Sequence, residues 1–153
     1  LVAAEGALAV EPLARIAGRA AHGVDPDQFP IAPIEAANKA LARAGKTWAD
    51  VDFVELNEAF ASQSLACLAG WPELDPDKLN IHGGALAIGH PLGASGGRII
   101  GHAAHELKRR GGGEWGAPGW NGVAHKAHRR AVRGLRRGRA GRGGGEHRQV
   151  VRT

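Results

Sequence analysis

The sequence predicts an α/β domain built in layers, and three observations carry the prediction. Up to about residue 110, stretches that alternate apolar and polar residues are interleaved with stretches of helical spacing. Glycines crowd residues 83–97 around the apolar run Ala85–Ile88, which points to close backbone approach there. Composition then changes abruptly near Gly111. At 153 residues and 43% hydrophobic, the chain suits one folding unit with a real core.

The first element is a strand over Leu13–Ala20, where apolar and polar residues alternate, and Gly23–Pro33 with its three prolines is an irregular connection. Ile34, Ala37, Leu41 and Ala44 recur at three and four, so residues 33–44 are predicted helical, started by Pro33 and ended by Gly45. Thr47 is placed to cap a short turn through Asp50, and Val51–Leu56 offers a second strand. Asn57 reads as the N-cap of a helix over Glu58–Ala69, followed by a loop from Trp71 to Lys78. Ser95 reads as the cap of a last helix to Arg110, with Ile99, Ile100, Ala103, Ala104 and Leu107 as its buried stripe.

Charge divides the chain at the same place as composition. Residues 1–110 hold 10 Lys and Arg against 13 Asp and Glu; residues 111–153 hold 10 against 2, with 12 of the 24 glycines. The expected organisation is a domain over 1–110 and a structureless Gly/Arg-rich tail over 111–153. Such a tail has the charge to meet nucleic-acid phosphates, but its aromatic residues stop at Trp115 and Trp120 and are not interleaved with the arginines, which favours a plain extension over a nucleic-acid binder. The single cysteine, Cys67, excludes an internal disulfide framework and a cysteine metal cluster, and leads us to expect a reducing, cytoplasmic setting. The opening stretch is too short and too interrupted by Glu5 for a membrane span or signal peptide.

Two motifs call up a family. Asn57-Glu-Ala-Phe-Ala, followed about thirty residues later by Gly83-Gly-Ala-Leu-Ala-Ile-Gly-His-Pro-Leu-Gly-Ala-Ser-Gly, resembles the C-terminal half of the thiolases, acyl-CoA acyltransferases that make or cleave β-ketoacyl-CoA. The likeness extends upstream through Pro12-Leu-Ala-Arg-Ile and Gly23-Val-Asp-Pro, and it is nearest the degradative branch of acetyl-CoA acyltransferases and β-ketoadipyl-CoA thiolases. It implies part of a layered αβαβα domain whose last two strands are missing, because after Arg110 the expected Cys-bearing ending is replaced by Gly111-Gly-Gly-Glu-Trp-Gly-Ala-Pro-Gly-Trp. That replacement has the bias of a GC-rich gene read in a shifted frame. A sheet position left empty would expose Ile99, Ile100 and Leu107 and leave the body marginally stable.

The resemblance also implies roles. In the family a histidine in Gly-His-Pro, here His90, activates a nucleophilic cysteine and helps hold the thioester oxygen, which suits an imidazole that exchanges protons near neutral pH. The asparagine, here Asn57, positions a water that joins the histidine in an oxyanion hole. Phe60 and Phe29 match positions near the acyl pocket, though Phe29-Pro30 departs from the family's usual Met-Gly pair, while Gly89 and Gly93 admit the pantetheine arm. The implied substrate is an acyl-CoA, with coenzyme A as substrate and no metal or bound cofactor, in a homo-oligomer. Both catalytic cysteines are expected to be absent, so the chain is expected to be inactive alone or to partner an intact thiolase.

Bland readings compete. His90 could be a loop histidine satisfied by backbone, and Asn57 only a helix cap. His102 and His105, spaced three apart on the last helix, read as surface residues in the absence of a third metal ligand, and His125 and His128 repeat that spacing. Cys67, one turn from Ser64 with no base beside it, reads as a small buried apolar residue. The 89–97 segment lacks the Lys-Ser/Thr ending of a phosphate-binding loop.

Overall fold

The computed structural model describes residues 2–4, 12–117, 122–125 and 149–151. It is an α/β structure with one mixed sheet. The strands are β1 (Val2–Ala4), β2 (Ala14–Gly18), β3 (Phe53–Val54), β4 (Glu114–Ala117), β5 (Gly122–His125) and β6 (Gln149–Val151), in the order β1-β6-β2-β5-β4-β3. β3 and β4 run parallel and every other pair is antiparallel. The helices are α1 (Ala32–Ala44), α2 (Ala61–Gly70), the single-turn α3 (Ala85–Ile88) and α4 (Ser95–Arg109).

Periodicity placed α1 and α4 to within a residue or two. α1 carries Pro33 in its first turn and stops at Gly45, whose φ of 67° is the left-handed conformation a helix-ending glycine supplies. Its stripe of Ala36, Ala37, Ala40 and Leu41 is buried. Closing the next turn, Asp50 accepts from the Thr47 amide at 2.8 Å. In α4 all five stripe residues, Ile99, Ile100, Ala103, Ala104 and Leu107, are buried.

The sheet is covered on both faces, and β3 shows how its alternation divides the core. Phe53 joins Ala14 and the α4 stripe on one face; Val54 and Leu56 join Leu41, Trp48, Cys67 and Trp71 under α1 and α2 on the other. Gly18 lets α1 approach the sheet, since a Cβ there would lie 2.5 Å from the Ala40 carbonyl oxygen. Cys67 is fully buried with its thiol pushed up to about 11 by desolvation, as expected of a packing residue.

Two expectations need correction. The sheet position beside β3 is occupied: Phe53 pairs with Trp115 and Val54 with Gly116, and the Glu55 amide donates to the Gly116 carbonyl at 2.9 Å. β5 and β6 continue the sheet beyond it, so the composition change at Gly111 is no boundary of the sheet, and Ile99, Ile100 and Leu107 are covered. The reason is that a ladder is made by backbone groups, which Trp-Gly-Ala supplies as well as a patterned strand does. Gly111, Gly112 and Gly113, all at positive φ, turn the chain from α4 into β4. The rest of the stretch read as structureless, residues 118–121, 126–148 and 152–153, lies outside the described residues, and with it His128 and most of the arginines behind the nucleic-acid reading. No helix among the described residues is long and apolar enough to cross a membrane.

Candidate active site

The two residues singled out by motif, Asn57 and His90, are 33 positions apart in sequence and meet in space. Asn57 lies three residues beyond β3, just after the chain has left the sheet. The Asn57 side chain caps nothing: α2 begins at Ala61, with extended Phe60 before it. The helix starts three residues later than expected because Asn57 and Glu58 are engaged in tertiary contacts. Instead the Ala59 amide donates to Gln63 Oε1 at 3.1 Å. The cap reading of Asn57 is therefore overturned by where the helix starts.

His90 is held from both ring nitrogens. Gly89, at φ 88°, turns the chain out of α3, a conformation costly for any residue with a Cβ. Asn57 Nδ2 donates to His90 Nε2 at 3.2 Å, and His90 Nδ1 lies 2.7 Å from Ser95 Oγ. The Ser95 hydroxyl proton is directed to the Pro91 carbonyl at 3.2 Å, so Ser95 accepts from Nδ1–H. This network fixes the tautomer, leaving Nε2 as the acceptor that faces Asn57. The Asn57 Oδ1 atom is buried and has no hydrogen-bond partner among the described residues.

Ser95 is the site residue that reading the sequence missed. It was expected to cap α4, but it is the first residue inside the helix, buried, and no side-chain cap is made there. Its position five residues after His90, at the mouth of the next helix, was the available signal. Two more residues join the site unannounced. Glu58 Oε1 accepts from Asn80 Nδ2 at 2.8 Å and Glu58 Oε2 from the Leu86 amide at 2.9 Å.

Among the described residues, no hydrogen bond joins the remaining candidates to this pair. Phe60 and Phe29 are both more than half exposed; Phe29 sits on the helical turn at 26–31 that packs against α2. Gly93 is exposed, and a Cβ there would meet nothing within 4 Å among the described residues. Leu86 and Ile88 in α3 and Leu92 on the loop that carries His90 are exposed too.

Behind the site, on the α4 face, ionisable groups are buried. Glu55 has its carboxyl pushed up to about 7 by desolvation, against the pull of Arg98 and His82. His102 Nδ1 approaches Glu55 Oε1 at 3.0 Å, out of line for a hydrogen bond, and its Nε2 lies 3.0 Å from His82 Nδ1. His102 is thus a partly exposed residue of α4 that also bridges Glu55 and His82, and His105 is exposed. Among the described residues no three His, Cys, Asp or Glu side chains converge as a metal site.

Comparison with known proteins follows the same residues. Residues 10–120 match the family described as thiolase, C-terminal domain. The mitochondrial 3-ketoacyl-CoA thiolase of Mus musculus is 50% identical over 101 residues, covering 66% of this chain and 25% of that protein. A crystal structure of human mitochondrial 3-ketoacyl-CoA thiolase superposes with a TM-score of 0.67 at 44% identity, covering 76% of this chain and 31% of the other. A second, of the human enzyme in complex with CoA, gives 0.63 at 47% identity, covering 74% and 30%. This chain spans about a quarter of the length of the curated relative it matches.

Proposed function

This chain belongs to the thiolase family, carrying its C-terminal domain, and from that premise we propose that Asn57 and His90 form the proton-transfer and oxyanion side of an acyl-CoA acyltransferase site. The observation that carries the reading is the fixed His90 ring: Nδ1–H bound to Ser95, and Nε2 without a proton of its own, accepting from Asn57 Nδ2 at 3.2 Å. An imidazole presented this way accepts a proton from a thiol and then, as imidazolium, donates to a developing oxyanion. The unpartnered Asn57 Oδ1 is placed to hold a water beside it. In this reading the substrate is an acyl-CoA and coenzyme A its partner in exchange, with Phe60 and Phe29 near the acyl group and Gly89 and Gly93 along the pantetheine arm.

The acyl-carrying thiol is supplied from elsewhere. Cys67, the one cysteine in the sequence, is buried against the Pro30 carbonyl on the α1/α2 face and its pKa is raised, the opposite of an activated nucleophile. The chain alone therefore performs no thiolysis or condensation. A buried thiol fits any reducing compartment, cytosol and mitochondrial matrix alike.

Calorimetric titration with acetyl-CoA tests the reading. Saturable binding that is lost in His90→Ala and Asn57→Ala is expected, with no turnover of acetoacetyl-CoA and CoA. Absence of binding overturns the site; turnover that vanishes in His90→Ala would mean that Cys67 is a nucleophile after all.

A further inference from the structure

The Asn57–His90 contact joins two loops, and neither residue's own backbone explains why they meet. Asn80 and Glu58 do. Asn80 is buried, and it is the one described non-glycine residue with positive φ, at 47°. Its side-chain amide pairs with the Leu56 backbone as a strand residue would, Oδ1 accepting from the Leu56 amide at 2.8 Å and Nδ2 donating to the Leu56 carbonyl at 3.1 Å. That extends the hydrogen bonding of β3 to the residue immediately before Asn57. A left-handed asparagine costs backbone energy that its surroundings must offset, and such positions gather at functional sites.

The second Nδ2 proton of Asn80 goes to Glu58 Oε1, and the other Glu58 oxygen takes the Leu86 amide in α3, four residues before His90. Gly84 lies so close against this carboxyl that a Cβ would overlap it, although the Gly84 backbone, at φ −136°, is one that alanine adopts freely. The path is therefore continuous: Leu56 to Asn80 to Glu58 to Leu86, bridging the segment after β3 that carries Asn57 and the loop that carries His90. We infer that Glu58, anchored by Asn80, is a positioning residue that sets the Asn57–His90 contact, an assignment that rests on the reading of those two residues as the site.

The test uses the full chain and needs no substrate. Glu58→Gln keeps an acceptor for the Leu86 amide but turns an NH2 toward the NH2 of Asn80, whose orientation is fixed by Leu56. Gly84→Ala displaces the same carboxyl from the opposite side. In both variants the His90 ring-nitrogen and Asn57 side-chain amide NMR signals should move, and carbethoxylation of His90 by diethyl pyrocarbonate should accelerate about fivefold, the equivalent of one hydrogen bond lost. The Trp48 and Trp71 indole signals, in the core on the far side of the sheet, should stay in place. Folded variants with unmoved His90 and Asn57 signals overturn the inference. So does loss of the tryptophan signals in both variants, because Glu58 then holds the fold and not the pair. Acetyl-CoA titration of the same samples separates the two readings: His90 signals that move in a chain that never binds acetyl-CoA uphold the positioning role and sink the acyl-CoA site.

Discussion

The two faces of the sheet bury their polar atoms differently. Under α1 and α2 the core holds two tryptophans with ring centroids 5.1 Å apart, and both indole N–H groups are bonded, Trp48 to Asn38 Oδ1 at 3.0 Å and Trp71 to the Ile34 carbonyl at 3.3 Å. Under α4 the packing residues are smaller, and ionisable groups are buried among them. Glu106 is covered by Arg109 and Arg110, which hold its carboxyl near 2, and Arg110 also lies over the Phe53 ring. Glu55 and His102 sit further along the same face, and Arg98 Nε is buried without a partner among the described residues. With Asn57 Oδ1, the orphaned polar atoms thus gather at the α4 face and the site beside it. One face is organised for packing; the other accepts electrostatic cost next to the Asn57–His90 pair.

The largest expected effect breaks the apolar face. Trp71→Ala empties the centre of the cluster formed with Trp48, Leu41 and Cys67, and should cost about 3–5 kcal/mol in chemical denaturation, the usual range for a buried aromatic truncated to alanine. A loss below about 1 kcal/mol would show that this face is loosely packed and that the contrast is false.

Glu55 sharpens the other side, through pH. Its carboxyl stays protonated in the fold up to about 7, whereas an ordinary glutamate ionises near 4.5, so the folded chain holds an extra proton between those values. The stabilisation linked to that proton is complete below about 4.5 and is lost as pH rises through 7. Arg98 and His82 oppose the shift, Glu58 and Glu106 support it, and His102 approaches from α4. Discounting for these neighbours and for partial solvent access, Glu55→Gln should raise stability at pH 8 by about 1–2 kcal/mol and flatten the profile between pH 5 and 8. A variant less stable than the parent at pH 8 would mean that ionised Glu55 is held by a favourable pair with His102.

What was legible in the sequence follows the same division. Helices α1 and α4 were readable because apolar stripes repeat at a fixed period, and the stripe is what the core buries. Asn57 and His90 were readable as motif residues. Ser95 and Asn80 were not: a serine before a helix reads as a cap and a lone asparagine between the loop at 71–78 and the glycines carries no signal of its own, and only the folded chain shows their side chains spent on His90 and on the Leu56 backbone. Nor was β4 readable, because Glu-Trp-Gly-Ala has too little alternation to signal a strand, and its pairing with β3 is made by main-chain groups that every residue carries.

Ser95→Ala comes next in size. It removes the acceptor for His90 Nδ1–H and should cost about 1 kcal/mol of stability, the net worth of a typical hydrogen bond. Its local effect should be larger than its global one: with Nδ1–H unheld, the ring can exchange tautomers, and the His90 nitrogen shifts should approach each other. If the two shifts keep their separation, Asn57 alone fixes the tautomer.

The smallest effect tests whether the site loop belongs to the stability of either face. Leu92, two residues from His90, is 84% exposed, and Leu86 and Ile88 in the preceding α3 are also open to solvent. A residue that buries almost no area in the folded chain loses almost nothing when its apolar surface is removed. Leu92→Ser should therefore shift stability by less than about 0.5 kcal/mol, even though a leucine-to-serine change in either core would be among the most damaging possible. Exposed leucines beside the half-buried His90 and Asn57 do not hold this fold together, so their apolar surface is available to whatever approaches the site. A loss above about 1 kcal/mol on Leu92→Ser would place the loop within the α4 core, and the division between a face that packs and a site that stays open would have to be redrawn.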